Sequence, residues 1–324
     1  MQKNFVVEAK LSLSKLFPPG SFEIKFGRYR LQSIPISSAT EGEGLLSFVN
    51  TYKAPELNGS NPRDEINILC KLLSVFFDAR IKRIGFSINA VNTYPIEAPE
   101  RKAYPQFFGV LDTTQLDNYI TRVLSLDVDL ARQFIRACHA YSFAIEFIPS
   151  DVTFAFFLLV VAIECMSSQD NVILFSELQP DKKKCERFCR FVYSYLPDKY
   201  KGNDERNDEL LNELLKTAYF SHRSGFVHGG KEVSDAAILA DKSNSSYFKH
   251  IVDGKEVKTP GIGWFVKIVR GSLLGYLDSL SIQSLKTDEE LLSRLAFEKG
   301  ELKVKVSRTV KQGQIVTSDD IDFR

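Results

Sequence analysis

The segment Tyr219-Phe220-Ser221-His222-Arg223-Ser224-Gly225-Phe226-Val227-His228-Gly229-Gly230 concentrates side chains able to do chemistry. Arg223 carries an always-charged, fork-shaped guanidinium that can hold two phosphate oxygens at once. His228, five residues on, carries a ring that titrates near neutrality and can take or give a proton. A fixed cation beside a proton carrier suits a phosphodiester, whose crowded intermediate needs positive charge and whose oxygens need a base and an acid. An ordinary helix end requires neither residue.

Competing chemistries find less support. The four histidines, His139, His222, His228 and His250, share no metal-ligand spacing with Cys, Asp or Glu, so no metal and no cofactor is expected. Cys185 and Cys189 stand one helical turn apart, which could seed a site, but an amphipathic helix burying both is the stronger reading. The sequence has no P-loop, no Gly-x-Gly-x-x-Gly after a strand and no Gly-x-Ser-x-Gly elbow.

Positioning Arg223 and His228 falls to a long helix predicted over 204–228, with Leu210, Leu211, Leu214 and Leu215 on its buried side and Gly229-Gly230 as its stop. Five residues of straight helix rotate by about 500°, leaving the two side chains about 140° apart. Convergence then needs the Arg to wrap round the axis, the helix to loosen at Gly225, or a second copy of the chain to bring its own pair opposite. Glu164 sits in the apolar run 152–166, where a lone carboxylate demands a partner, and Arg223 is the candidate. Glu164 then either orients a working Arg or neutralises a structural one.

The remaining elements read as follows. Strand patterns fall over Phe5-Val6-Val7, 22–26, 29–31 and 45–49; a helix starts at Asn61-Pro62 with Ile66, Leu69, Leu73, Phe76 and Phe77 on its apolar face; strand character returns over 84–91. Pro95, Pro99 and Pro105 among charged residues mark a linker over 93–106. Helices then follow over 114–124, 127–147, 152–167, 181–196, 204–228 and 263–280. In the second of these, Leu130, Phe134, Ala137, Tyr141, Ala144 and Ile145 form one stripe, with Arg132, Arg136 and His139 off it. Leu302, Val304 and Val306 alternate ahead of a Gln312-Gly313 turn, predicting a terminal hairpin. The fold class is α+β: a β-rich domain over 1–106, a helical domain over 107–285 and a strand extension over 286–324.

Arg223 and His228 match an Arg-x(4 to 6)-His signature, and Arg-Ser-x-x-Val-His-Gly-Gly resembles that of the HEPN superfamily, in particular its Apea-like branch. The helix Leu158-Leu159-Val160-Val161-Ala162-Ile163-Glu164 resembles the apolar helix of that branch, which ends in Ala-hydrophobic-Glu, and the helix through Ala137 and Tyr141 fits a third element. The resemblance covers about residues 113–285. It implies a helical bundle, a homodimer, and metal-independent RNA cleavage by 2′-hydroxyl attack in a defence or toxin setting. Arg223 and His228 would be catalytic, with Glu164, Ser224 and Tyr219 supporting. Ser224 stands where many ribonuclease members carry Asn, Asp or His. The alternative is a non-catalytic binding, sensor or dimerisation protein for RNA, a nucleotide or a protein partner.

Charge limits how RNA could be held. Lys plus Arg number 42 against 41 Asp plus Glu, a net +1, so a polyanion needs a local patch. Arg80, Lys82 and Arg83 could guide RNA, but a charged turn between helix and strand is the stronger reading; Lys182-Lys183-Lys184 reads as a solvated face and Trp264-Phe265 as helix packing. The N-terminal domain would choose the target or engage a protein regulator. Five scattered cysteines and a start without a signal-peptide pattern point to a reducing, cytoplasmic setting, and the 152–166 run is too short to span a bilayer.

Overall fold

The computed structural model describes residues 4–13, 23–26, 29–33, 44–53, 62–88, 91–92, 115–167, 180–201, 205–220, 246–252, 254–280, 287–288, 290–297, 302–305 and 320–323. The architecture is α+β. The chain forms two compact units, Met1–Ser142 with Leu280–Gly300, and Phe143–Ser279 with Glu301–Arg324. Residues 93–106, where composition suggests a linker, lie outside the described residues.

The first unit is built on a six-stranded antiparallel sheet of order β2-β3-β4-β1-β5-β6. Its strands are β1 (Asn4–Leu13), β2 (Glu23–Phe26), β3 (Tyr29–Ser33), β4 (Gly44–Lys53), β5 (Ile81–Ile88) and β6 (Val91–Asn92). β1 is central, with Val7 opposite Asn50 of β4 on one side and Ile88 of β5 on the other. Val7, Ala9 and Leu11 are buried at period two, as a strand with one covered face requires.

Helix α1 (Pro62–Phe77) packs on the sheet. Pro62 suits the first helical position because its missing N–H would have had no partner there, and Asp64 and Glu65 face the positive helix end. All five residues of the expected apolar face are buried, and so are Ile68, Cys70, Leu72 and Val75, so α1 is covered on more than one side. Helix α2 (Leu116–Leu124) and α3 (Val128–Phe147) follow. Asp127 caps α3 by accepting the amides of Asp129 and Leu130 at 3.1 and 2.9 Å. The chain returns to this unit as α9 (Leu291–Phe297), which packs on α1. Glu65, fully buried, accepts the hydroxyls of Tyr29 from β3 and Ser293 from α9, the latter at 2.9 Å. Two donors on two oxygens make that carboxylate tolerable inside the core.

α1 stops at Asp78, whose φ of 49° lies in the left-handed region that lets a helix turn off. Ala79 N reaches back to Ser74 O at 3.2 Å, and the Asp78 carboxylate accepts Tyr141 Oη at 2.9 Å. Asp does here what Gly commonly does, and adds a tie to α3.

The second unit is helical, with α4 (Val152–Ser167), α5 (Pro180–Tyr195), α6 (Asp198–Lys201), α7 (Glu205–Thr217) and α8 (Ile262–Ser279), plus the hairpin β7 (Tyr247–Val252) and β8 (Lys255–Pro260). Backbone strands β9 (Leu302–Lys305) and β10 (Asp320–Phe323) pair antiparallel, in line with the expected terminal hairpin; the Gln312-Gly313 turn lies outside the described residues. Hydrophobic periodicity did not disclose the β7–β8 hairpin, α6 or α9. Each is short, and the hairpin's strands mix Lys, His and Glu with Tyr, Ile and Val.

α4 is apolar nearly all round because α5 and α8 both pack on it. An aromatic chain runs through this core: Phe156 stacks on Phe265 at 5.3 Å, Phe265 meets Phe188 at 6.5 Å, and Phe188 meets Tyr219 at 5.5 Å. Among the described residues no helix is long and apolar enough to cross a membrane. α8 crosses the end of α5 at Gly275, where a Cβ would lie 1.8 Å from the Tyr195 carbonyl oxygen.

Candidate functional site

Of the five residues expected at the site, Glu164 and Tyr219 are among the described residues; Arg223, Ser224 and His228 lie outside them, together with the Gly229-Gly230 stop. α7 covers the first part of the helix expected over 204–228. It is regular from Glu205 to Thr217 and then widens into a π turn at Ala218–Phe220, immediately before the residues that carry the motif. Such turns insert an extra residue per turn and are frequent at functional sites.

Tyr219 sits on that turn. Its ring is fully buried against Phe188, and its hydroxyl donates to Glu164 Oε1 at 2.8 Å. A buried tyrosine hydroxyl requires an acceptor, and a carboxylate at the polar end of an apolar helix requires a donor, so each explains the other. Phe220, next along, packs its edge on Tyr219 with centroids 5.6 Å apart and stays 41% exposed. Arg223, the cationic partner expected for Glu164, lies outside the described residues; among those described, Tyr219 donates to the carboxylate. The signal was available, because Tyr219 closes the Leu211, Leu214, Leu215 and Ala218 face of α7 and its hydroxyl had to end somewhere polar.

Flanking ion pairs hold α7 in place. Lys216 reaches Glu186 of α5 at 3.7 Å, and Lys258 of β8 reaches Glu213 at 2.6 Å. Both are part-exposed and contribute orientation more than stability. On α5, Cys185 and Cys189 are buried and hydrogen-bonded to one another, which with burial pushes the Cys189 thiol far up. They act as core. Among the described residues no group of three or more His, Cys, Asp or Glu is placed to hold a metal ion.

The basic turn belongs to the first unit. Lys82 is exposed, while Arg83 donates from Nε to Asn67 Oδ1 at 3.2 Å and lies 5.8 Å from the Phe86 ring. Arg83 is thus engaged with α1 and its own strand. Trp264 and Phe265 pack α8, with Phe265 fully buried.

One polar cluster escaped the sequence reading. His139, assigned to the open side of its helix, faces α1, where Lys71 Nζ lies 3.2 Å from its Nδ1. Burial pulls Lys71 from the usual 10.5 down to about 8, partly offset by Cys70 and Asp64. Burial, then the Lys71 charge, drives His139 down to about 3, so its ring is neutral at pH 7. Ser142 Oγ meets Ser74 Oγ at 3.3 Å along the same helix pair. The signal in the sequence was a single Lys inside Ile68-Leu69-Cys70-Lys71-Leu72-Leu73.

Comparison with protein-family models, with curated proteins and with solved structures finds no match.

Proposed function

We propose that the chain is a metal-independent endoribonuclease of HEPN type that cleaves RNA by attack of its own 2′-hydroxyl. Arg223 holds two non-bridging phosphate oxygens and stabilises the phosphorane. His228 moves a proton, from the 2′-hydroxyl or to the leaving 5′-oxygen, and the product is a cyclic phosphate. A homodimer would supply two such pairs and divide base from acid.

The observation that carries this reading is the Tyr219–Glu164 hydrogen bond. It joins, within one unit, the Glu-bearing helix and the turn that feeds directly into Arg223, the two segments that the motif needs together. The π turn beside it supports the same place on the chain. A non-catalytic binding or sensor role is the second reading, favoured by the net charge of +1 and by Ser224 after the Arg. The test is incubation of purified protein with labelled RNA in excess EDTA, beside Arg223→Ala and His228→Ala. Cleavage by the wild type alone, ending in cyclic phosphate, supports the first reading. Cleavage surviving in either variant removes the site, and tight RNA binding without turnover supports the second.

A further inference from the structure

We propose that Lys71 is a nucleophilic amine that captures small aldehydes or ketones as an imine, with His139 relaying the proton. The inference is independent of the RNA chemistry above, since Lys71 and His139 belong to the first unit.

The geometry carries it. Lys71 projects from a helix whose neighbouring positions Cys70, Leu72, Leu73 and Ser74 are all buried, and its Nζ is directed at His139 Nδ1 at 3.2 Å. An ammonium in such a place normally has a carboxylate against it. Among the described residues Lys71 forms no ion pair; Asp64 and Cys70, both on its own helix, act on it through space, and Arg83 of β5 acts on Cys70. The imidazole is the acceptor, so the amine and ring share one proton in a partly desolvated place.

That arrangement is what imine chemistry uses. Depressed basicity, with the amine at about 8, leaves about a tenth of Nζ as free base at pH 7, about 300-fold more than an ordinary lysine. The free Nζ lone pair attacks the carbonyl carbon, forming C–N as the C=O π pair moves to oxygen. His139 Nδ1 carries both protons of the attacking nitrogen to that oxygen in turn: the first gives the neutral carbinolamine, and the second lets its hydroxyl leave as water as C=N closes. With the ammonium charge gone, the ring beside it becomes the better base, because that charge is one cause of its low basicity. The neutral imine also suits the desolvated site better than the cation it replaces.

The full-length protein is exposed to dilute acetaldehyde with cyanoborohydride, and each lysine's alkylation rate is read by peptide mass spectrometry from pH 6 to 10. Lys182 and Lys184, both exposed, serve as internal standards. Lys71 is expected to react at least tenfold faster than either at pH 7, with a half-maximal rate near pH 8. Reaction no faster than the standards, or a midpoint near that of an ordinary lysine, overturns the proposal. His139→Gln keeps a hydrogen-bond acceptor but no titrating ring, and should cut the advantage of Lys71 at least fivefold while the standards are unchanged. An undiminished advantage refutes the relay.

Discussion

Gly275→Ala should destabilise the second unit, although alanine is the better helix former. The residue lies near the end of α8, where an added Cβ would meet the Tyr195 carbonyl oxygen at 1.8 Å and its carbonyl carbon at 3.0 Å. Those atoms are main chain, so no rotamer change relieves the overlap; α5 and α8 must part by more than about 1 Å. Parting them opens the aromatic cluster in which Tyr195 meets Tyr276 at 5.1 Å and Phe191 at 4.8 Å. Overpacking of this kind costs about 1–3 kcal/mol and sometimes more. The gain in helix propensity is about 1 kcal/mol.

Gly271, one turn earlier, is the internal control. A Cβ there meets Leu196 Cδ1 and Tyr200 Cε2 at 3.3 Å, both side-chain atoms that can shift by a few tenths of an ångström. The propensity gain is the same on both sites, so the difference between the two variants isolates the steric term. Gly271→Ala is expected within about 1 kcal/mol of wild type, and Gly275→Ala about 2 kcal/mol below it once the propensity gain is subtracted, a fall in melting temperature of about 4–8 °C for a domain of this size. Urea and thermal melts followed by near-ultraviolet circular dichroism measure both. If Gly275→Ala is as stable as Gly271→Ala, the close approach of the two helices is not what holds that crossing.

The Lys71 and His139 pair makes stability depend on pH. An unfolded His takes a proton near 6.5 while folded His139 resists down to about 3, so stability falls as pH drops through that window, by up to about 1.4 kcal/mol per pH unit; denaturant melts of His139→Gln should be flatter there. Lys71, at about 8 when folded and near 10.5 when unfolded, costs stability fully below pH 8 and progressively less up to 10.5. Lys71→Met should therefore stabilise at pH 7 by up to about 3 kcal/mol, measured by urea midpoint. Glu65→Ala strands the Tyr29 and Ser293 hydroxyls and should cost about 3 kcal/mol, while Glu65→Leu with Tyr29→Phe and Ser293→Ala should recover most of it, because apolar partners leave nothing unsatisfied. Tyr219→Phe should cost about 1–2 kcal/mol in the second unit and lower RNA turnover in the EDTA assay, because the turn feeding Arg223 loses its tie to Glu164.

Periodicity made much of the secondary structure legible. The apolar face of α1, the limits of α4 at Val152 and Ser167, and the opening strand read from Phe5-Val6-Val7 all follow from the spacing and run length of apolar residues. Residue chemistry put the candidate site toward the end of the helix that begins near Glu205, where Arg223, Ser224 and His228 lie outside the described residues. Local pattern could not say where a polar side chain ends once two elements meet. The stripe rule put His139 on the open side of its helix, yet α1 covers that side through Lys71.

The sequence by itself determined most of the longer elements, the α+β class and the short list of residues with useful chemistry, because hydrophobic spacing and residue type act locally. Only the tertiary structure decided the partners: Tyr219 on Glu164, Tyr29 and Ser293 on Glu65, Lys71 on His139, Gly275 on the Tyr195 carbonyl. Each of those joins residues between 36 and 228 positions apart. A buried polar group must find some partner within about 3 Å, but which one is settled by how helices and strands pack, and no window of neighbouring residues contains that information.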